Sequence, residues 1–501
     1  MRWLLPAPIL LPLLGAAISM GLFRSRRGQR FVGLTALVAA TIASIAILVE
    51  VEGRGPQSVQ AGGWPAPLGI TLVADLFSAM LLVIGWLMVL AVMVFAVSQG
   101  ESEKNQPAFH PVYLVLSAGI SASFLTGDLF NLFVAFEMML AASYVLLTLG
   151  GTARQIRSGM TYVVISLIAS VLFVVSVALI YAATGTVNMA DLAGKMADLP
   201  EGLRLAFSLL LLVVFGIKAA LFPLFSWLPD SYPTAPTPVT AVFAGLLTKV
   251  GIYAIIRTQT LMFPTDGEAS TVILVIAALT MAVGVFGAIA QDDVKRILSF
   301  HIVSQIGYMV FGLGLFTLAG VAGAVLYIVH HIVVKTSLFL AAGLIERAGG
   351  ESKLSRLGGM VHQTPVIAVL FLLPALSLAG IPPFSGFVAK LGLVQAGVAQ
   401  QEWALVAVSL AVSALTLFSM TKIWAGVFWG VPEEVPAGRE AGVLAAGSGP
   451  MGAPAGMILA TAALVALSIA IALASGPLWD LSTRAAAELL DPSVYISTVF
   501  R

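Results

Sequence analysis

Residues 209–229 read LLLLVVFGIKAALFPLFSWLP, an apolar run in which Lys218 lies five residues before Pro223. A charged side chain at the centre of a membrane helix costs roughly 2.5–3.5 kcal/mol. Proline removes a backbone donor and interrupts the helix, and irregular backbone is tolerated at membrane depth only where it is buried in protein or lines water. The combination of a lysine with a helix break therefore predicts that both face a wet interior of the protein.

The composition places the whole chain in the membrane. It has 501 residues, of which 59% are hydrophobic and 10% charged, and its net charge is +1, whereas soluble domains carry about 25% charged residues. This balance argues against a nucleic-acid partner. The absence of cysteine excludes disulfides, iron–sulfur clusters and thiolate metal sites. Since five histidines give poor support for a bis-histidine haem, we expect neither a metal nor a cofactor.

The apolar segments predict an all-α polytopic protein with about fourteen transmembrane helices. The first segment has its arginines after the apolar run instead of before it, so we expect it to be a retained span and no signal peptide. A span needs about 20 mainly apolar residues. The candidates are 3–23, 31–50, 71–98, 110–126, 129–149, 158–184, 205–225, 236–258, 270–290, 298–318, 320–345, 365–398, 403–430 and 453–475.

The distribution of basic residues predicts the orientation. Alternating along the chain, one side receives most of the loop arginines and lysines: Arg24, Arg26, Arg27, Arg30, Lys104, Arg154, Arg157, Lys295, Arg296, Arg347, Lys353, Arg356 and Arg439. The other side receives Arg2, Arg54, Lys195, Arg204, Arg257, Arg484 and Arg501. The bias predicts that both termini lie outside. Asp75, Asp128 and Asp230 lie near span ends, where we expect entrance or capping residues.

Six ionisable residues fall inside predicted spans: Glu137, Lys218, Lys249, Lys335, Lys390 and Lys422. A second interrupted span, LPALSLAGIPPFSGFVAKLGL, places Pro382 and Pro383 before Lys390. The segments PLFSW (223–227) and PPFSGF (382–387) are also alike. Interrupted apolar segments at matching places in two halves are typical of transporters with inverted repeats.

These residues suggest a proton relay. Glu137 should either bind a proton or pair with Lys218 or Lys249, because an isolated charge is disfavoured at that depth. The alternative for this pair is a static ion bridge between helices. His331 and Lys335 lie four residues apart on one helix face, which favours His331 as a relay member, although one of the histidines 330 and 331 could simply join two helices by a hydrogen bond.

Three further residues are candidates for a gate or an entrance. His301 follows the polar segment DDVKRILSF and could control access from that side, or could be an ordinary buried histidine. Asp128 lies at a span start, and Lys422 could extend its amine to the membrane surface. Because the sequence contains neither a Walker A motif nor a GxGxxG motif between a strand and a helix, we expect a secondary transporter subunit and not an enzyme.

Five segments together resemble the antiporter-type subunits, which comprise the large subunits of Mrp multisubunit sodium/proton antiporters and the pumping subunits of respiratory complex I. The segments are FEMMLAASYVLLTLGG, GTVNMADL, GIKAALFPLFSWLPDSYPTAPTPVTAVFAGLLTKVGIYA, DDVKRILSFHIVSQIGYM and LAGIPPFSGFVAKLGL. The resemblance implies two inverted five-helix repeats, each with a broken helix, and a line of charged residues across the membrane plane. By motif position this line comprises Glu137, Lys218, Lys249, His331, Lys335 and Lys390.

The resemblance also implies an organisation and an activity. We expect N-terminal helices over 1–100, one repeat over 101–260, a second over 261–430, and a loop with a C-terminal helix over 431–501. The length and the wording SYVLLTLGG and GTVNMADL are most similar to the Mrp D-type subunits. Such a protein would conduct protons, coupled to Na⁺ export, in the bacterial inner membrane, assembled with subunits of the A, B, C, E, F and G types.

Two other functions stay open from the sequence. The N-type pumping subunit of complex I shares the lysine at the position of Lys390, so a redox-driven pump in complex I or a membrane hydrogenase is the first alternative. The second alternative is a scaffold subunit that assembles a transporter without moving ions itself.

Overall fold

Apolar runs of membrane-spanning length fold into helices because every backbone polar group must be satisfied within the segment. The computed structural model describes residues 3–104, 108–263, 268–431 and 453–501; Arg2 and Arg439 of the orientation argument lie outside these ranges. The first helices are α1 (Ala7–Gly21), α2 (Arg26–Arg54), α3 (Leu76–Gln99), α4 (Phe109–Leu125), α5 (Leu129–Thr148), α6 (Ala153–Thr184), α7 (Met189–Ala197), α8 (Glu201–Ala219), α9 (Trp227–Ser231), α10 (Thr237–Val242) and α11 (Thr248–Met262).

The remaining helices lie between Glu268 and Val499. They are α12 (Glu268–Ile289), α13 (Val294–Gly314), α14 (Leu318–Gly349), α15 (Met360–Gln363), α16 (Pro365–Ala379), α17 (Ser385–Ala399), α18 (Trp403–Trp424), α19 (Ala455–Leu473), α20 (Ser475–Leu490) and α21 (Pro492–Val499). A π-helical turn, Phe243–Leu247, joins α10 to α11, and a second, Ala425–Trp429, extends α18. Short 3₁₀ turns lie at Ala61–Gly63, Tyr232–Thr234 and Leu354–Arg356.

Within the described residues, eleven helices are long and apolar enough to cross a membrane. Four shorter apolar helices, α1, α4, α16 and α17, accompany them. Each predicted span coincides with one of these helices, except that 365–398 contains the two half-helices α16 and α17. The prediction of a mostly helical, multi-span membrane protein is therefore confirmed.

Three local expectations differ from the structure. Residues Thr71–Ala74 do not begin a helix but form strand β2, which pairs antiparallel with β1 (Gln57–Gln60), because the capping box of Asp75 sets the start of α3 only at Leu76. Arg257 does not lie in a loop but is buried in α11, in an ion pair with Asp75. The C-terminal region contains two more helices, α20 and α21, after the predicted last span.

The helical bundle has two polar ends, which we name by their residues. The termini face carries Trp3, the β1–β2 hairpin and Arg501, which line one cavity. In the described chain, the ion pairs of the basic face include Arg30–Glu103, Lys295–Glu346, Arg347–Glu101 and Arg296–Asp230. Between the two faces, α10–α11 and α14 are buried on all sides, so the residues of these helices form the interior of the bundle.

Two helix ends in the interior share one backbone geometry. α8 ends at Ala220 in the left-handed conformation (φ 62°), and Leu221 N–H donates to Gly216 O at 2.9 Å. α16 ends at Gly380 (φ 87°), and Ile381 N–H donates to Leu376 O at 3.1 Å. A cis prolyl bond follows each end, at Phe222–Pro223 and at Pro382–Pro383. Both predicted breaks are therefore real and have the same form.

A second pair of matching features flanks these breaks. Asp128 caps α5 and forms an isolated bridge with Asn188, and Asp293 caps α13 and forms one with Lys353. The first bridge lies beside Thr71 of the hairpin on the termini face, since Gly127 N–H donates to Thr71 O at 2.8 Å. The second bridge lies among the loops of the basic face. The two features are thus at opposite ends of the bundle.

Candidate functional site

The first helix break brings Lys218 to Glu137 through a serine. Lys218 is at the C-terminal end of α8, and its Nζ lies 3.9 Å from Oε1 of Glu137, a residue of α5. Ser170, on α6, lies between them: Lys218 Nζ donates to Ser170 Oγ at 3.0 Å, and Ser170 Oγ donates to Glu137 Oε1. Three helices thus converge on one charged pair. Of the two lysines predicted as partners of Glu137, Lys218 forms the pair and Lys249 does not.

The π-helical turn determines the surroundings of Lys249. Its Nζ donates to Ala244 O at 2.5 Å and to Thr248 Oγ1 at 3.2 Å. A π turn shifts the backbone pairing by one residue, so carbonyls become available to side chains. Among the described residues, no carboxylate lies within ion-pairing distance of Lys249, which is completely buried. Its amine is therefore held by neutral oxygen atoms alone.

The middle of α14 contains buried groups without partners. Within the described ranges, Lys335 Nζ and both ring nitrogens of His331 have no hydrogen-bond partner. Lys335 Nζ lies 5.8 Å from the centroid of Phe339. Buried polar groups are normally satisfied, and exceptions in a polar, roomy interior are places for ordered water. His330 Nε2, on the same helix, also has no hydrogen-bond partner among the described residues.

The second histidine of α14 reaches the second helix break. His330 Nδ1 lies 2.8 Å from Ser385 Oγ at the start of α17, and Ser385 Oγ is 3.2 Å from Ser377 Oγ of α16. His330 thus connects α14 to both half-helices of the second break. His330 therefore joins helices by a hydrogen bond, while His331 has no protein partner among the described residues.

Lys390 connects the two half-helices of the second break. It projects from α17, and its Nζ donates to Leu378 O at 3.0 Å, Ala379 O at 3.2 Å and Ser413 Oγ at 2.7 Å. It also lies 4.8 Å from the ring centroid of Tyr308. Tyr308 stacks on Tyr327, which donates to Gln305. A polar, aromatic wall therefore runs from Lys390 back to α14.

The three candidates for a gate or an entrance have ordinary contacts. His301 Nε2 lies 2.9 Å from Ser419 Oγ and is completely buried. Asp128 accepts Asn131 N–H at 2.7 Å as the N-cap of α5. Lys422 donates to Ile289 O at 3.0 Å and to Gln291 O at 2.6 Å, at the C-terminal end of α12. Lys422 thus caps a neighbouring helix instead of extending to the membrane surface.

Sequence reasoning missed several polar contacts of this interior. Ser170 and Ser413 are single serines in long apolar helices, and nothing in their immediate sequence distinguishes them from serines that bond their own helix. Gln305 and Tyr308 follow His301, a candidate gate residue, by four and seven positions. Their closeness to that residue in the sequence could have indicated that they lie near the site. In the described parts of the chain, no group of three His, Cys, Asp or Glu side chains could hold a metal ion.

Known proteins resemble this chain over most of its length. Residues 126–416 match the family described as NADH:quinone oxidoreductase/Mrp antiporter, transmembrane. The D-type subunit of the Na(+)/H(+) antiporter of Alkalihalophilus pseudofirmus is 45% identical over 99% of this chain and 98% of its own length. The protein of the same name from Bacillus subtilis is 36% identical, with the same coverage.

Two solved structures share the fold over nearly the full length. A chain of the Mrp complex from Dietzia sp. superimposes with a TM-score of 0.91 at 36% identity, covering 99% of both chains. A chain of an archaeal membrane-bound sulfane sulfur reductase superimposes with a TM-score of 0.87 at 27% identity, covering 98% of both. With a match over residues 126–416 and a relative 45% identical over 99% of the chain, this protein belongs to the NADH:quinone oxidoreductase/Mrp antiporter transmembrane family.

Proposed function

We propose that this chain is the proton-conducting, D-type subunit of a multisubunit Na⁺/H⁺ antiporter. The identity of 45% to a D-type antiporter subunit over almost the whole chain supports the type of complex. The observation that carries the proton-conducting role is the contact series Lys218–Ser170–Glu137, in which one hydroxyl connects a buried amine to a carboxylate.

The series is suited to moving a proton over a short distance. A hydroxyl can accept one hydrogen bond while it donates another, so Ser170 can pass a proton between its two neighbours as their charges change. Lys218 is buried, while the side chain of Glu137 is 33% exposed. Loss of the proton from Lys218 or its gain by Glu137 weakens the pair, and the pair can then separate.

The onward path in this proposal runs through Lys249, Lys335 and His331 to Lys390. Several buried amines in one protein interior, without carboxylate partners in the described chain, repel one another and are costly to keep charged together. A proton that arrives at one amine therefore favours release from the next. The unpartnered nitrogens of His331 and Lys335 provide positions for water between the fixed groups.

We further assign two inverted five-helix repeats to residues 101–260 and 261–430, within about fourteen membrane crossings. The matching helix ends at Ala220 and Gly380 and the matching bridges at Asp128 and Asp293 support this assignment. Residues 1–100 and 431–501 flank the repeats. By the charge distribution, the termini face is the outer side of a bacterial inner membrane.

The partners follow from the proposed type of complex. The chain would assemble with Mrp subunits of the A, B, C, E, F and G types, in contact with membrane lipid, and would exchange protons against Na⁺. The relatives from Alkalihalophilus pseudofirmus and Bacillus subtilis are named for the exchange of these two ions, and the likeness to a chain of the Mrp complex supports the assembly.

The test is sodium-driven proton flux in everted vesicles that carry the whole complex. Glu137→Gln should abolish the flux while blue-native gels show the assembled complex. Glu402→Gln, a partly buried carboxylate at the start of α18, is the matched control and should retain it. Retained flux in Glu137→Gln would contradict the proposal and favour a scaffold subunit.

One observation favours a second candidate function, a redox-driven pump. The likeness to a chain of the sulfane sulfur reductase, an archaeal respiratory membrane complex, covers 98% of this chain. Proton flux that needs an electron donor and is independent of Na⁺ would establish that function instead.

A further inference from the structure

A buried ion pair outside the proposed proton path lies near the termini face. Asp75, the N-cap of α3, is 2.6 Å from Arg257 of α11, and both side chains are almost completely buried. Rings of Phe77, Tyr253 and Tyr495 surround the guanidinium at 5.1–5.8 Å. Arg257 Nε has no hydrogen-bond partner among the described residues. The proposed function uses none of these groups.

A third charged residue connects this pair to the surface. Glu488, on α20, is partly exposed, and its Oε2 accepts Leu76 N–H at 3.0 Å, directly after Asp75. The charged groups that face it are Asp75 on α3, Arg257 on α11 and Arg484 on its own helix, while Tyr495 on α21 faces Arg257. We call Asp75, Arg257 and Glu488 the termini-face triad.

The surroundings of Glu488 suit a group that exchanges protons near neutral pH. Burial and the neighbouring Asp75 carboxylate raise its pKa to about 7, although the Leu76 N–H and the two arginines act in the opposite direction. The carboxyl group is thus mostly protonated below pH 7 and mostly charged above it. Matching a carboxyl pKa to the working pH is what efficient proton exchange requires.

The triad is connected to the interior along one face of α11. Lys249, Tyr253 and Arg257 are spaced by four residues, so they share a face. Arg257 lies eight positions after Lys249, which corresponds to about 12 Å along the helix. Tyr253 stacks on Phe77 and donates its hydroxyl to Phe124 O at 2.8 Å. Polar groups therefore recur at every helical turn between Lys249 and the termini face.

We propose that Glu488 is the group through which this subunit exchanges protons with water at the termini face, with Asp75 as the next carboxylate inward. A protonated Glu488 gives its proton to the Asp75 carboxylate and becomes charged itself. Arg257 keeps its own protons under all working conditions; it holds Asp75 in place, and its fixed positive charge repels Na⁺. This inference rests on the proposed function, because it gives that proton path one of its openings.

The competing explanation is that Glu488 only caps α3. Glu488→Gln separates the two, because the amide oxygen can still accept Leu76 N–H but cannot exchange a proton. Glu50→Gln is the matched control. Glu50 is also partly exposed, lies near the C-terminal end of α2, which leads into the hairpin of the termini face, and pairs with Arg54 at 3.1 Å.

The experiment uses the whole complex in liposomes and varies the pH on each side separately. We expect Glu488→Gln to lower the sodium-driven proton flux about 100-fold, the lower end of what one positioned proton-transfer group contributes, and to remove the dependence on pH near 7 at the termini face. Glu488→Asp should restore part of both. Glu50→Gln should behave as the wild type.

Two results would overturn the inference. Wild-type flux in Glu488→Gln would leave the triad without a role in transport. Lowered flux with an unchanged pH profile would make Glu488 a structural cap. Glu137→Gln is measured in the same preparation: if it also retains flux, the proposed function has failed, whereas if it alone is inactive, only the opening at Glu488 is wrong.

Discussion

At the first helix break, the amine of Lys218 lies 3.9 Å from a carboxylate and donates to Ser170. At the second break, the amine of Lys390 donates to two carbonyls at the end of α16 and to Ser413, and no carboxylate of the described chain lies within ion-pairing distance. The backbone geometry of the two breaks is the same, so the difference is in the groups that face each lysine.

The carbonyl oxygens at the helix ends explain how this difference arises. At the first break, the indole of Trp227 donates to Ile217 O at 3.0 Å, so Lys218 is left to face Glu137. At the second break, Lys390 itself satisfies Leu378 O and Ala379 O. The C-terminal end of a helix attracts a cation. The charge of Lys390 is therefore stabilised by fixed dipoles, whereas the charge of Lys218 depends on a group that can itself bind a proton.

Lys218→Met tests the first half of this comparison and should have the largest effect. It removes the amine that responds to Glu137, so sodium-driven proton flux should fall about 100-fold, a typical result of losing a positioned proton-transfer group. The complex should still assemble, because Glu137 stays partly exposed. Lys195→Met, on the surface of α7 and paired only with Asp191 among described residues, is the control. Appreciable flux in Lys218→Met would show that the first break does not carry the proton.

Lys390→Met tests the second half. We expect a smaller loss of flux than in Lys218→Met, about tenfold against the ~100-fold or more of a positioned proton-transfer group. The stability should fall by about 1–3 kcal/mol, because buried carbonyls lose their donor. Thermal melting of the purified complex, read by size-exclusion chromatography, measures the second effect. If Lys390→Met melts at the wild-type temperature while Lys218→Met melts at a lower one, the carbonyl dipoles at the second break do not stabilise the charge of Lys390, and the explanation is wrong.

Ser170→Ala and Ser413→Ala form a matched pair across the two breaks. A hydrogen bond contributes about 1 kcal/mol, which corresponds to roughly a fivefold change in rate. Ser170→Ala should lower proton flux by that factor, because it interrupts the contact between Lys218 and Glu137, and Ser170→Thr should restore it. Ser413→Ala should leave flux nearly unchanged, since Lys390 keeps its two carbonyls. Equal losses in both variants would remove the distinction.

Trp227→Phe should have the smallest effect. It leaves Ile217 O without the indole donor, so the stability of the complex should fall by about 1 kcal/mol while flux stays close to the wild-type value. Melting and flux are measured on the same preparation. A large loss of flux would mean that Trp227 keeps the amine of Lys218 away from Ile217 O and thereby sets its position relative to Glu137.

Much of the fold was predictable because its causes are local. The spans follow from apolar runs, the helix breaks from Pro223 and Pro382–Pro383, and the start of α5 from Asp128, which caps it. The strand at Thr71–Ala74 and the helix α20 were not predicted. The strand depends on its partner Gln57–Gln60, and α20 packs against α3 and α14, so neither has a complete signal in its own residues.

The sequence by itself determined that Glu137 and five lysines fall in apolar segments and that two helices are interrupted, since both depend on residue type and on the chemistry of proline within a few positions; it did not place Arg257 in the interior. Only the tertiary structure decided the partners of these residues. It places Ser170 between Lys218 and Glu137, carbonyl oxygens around Lys390, the end of α12 beside Lys422, and Arg257 beside Asp75. Each of these contacts joins residues more than ten positions apart, so it depends on how the helices pack and rotate against one another.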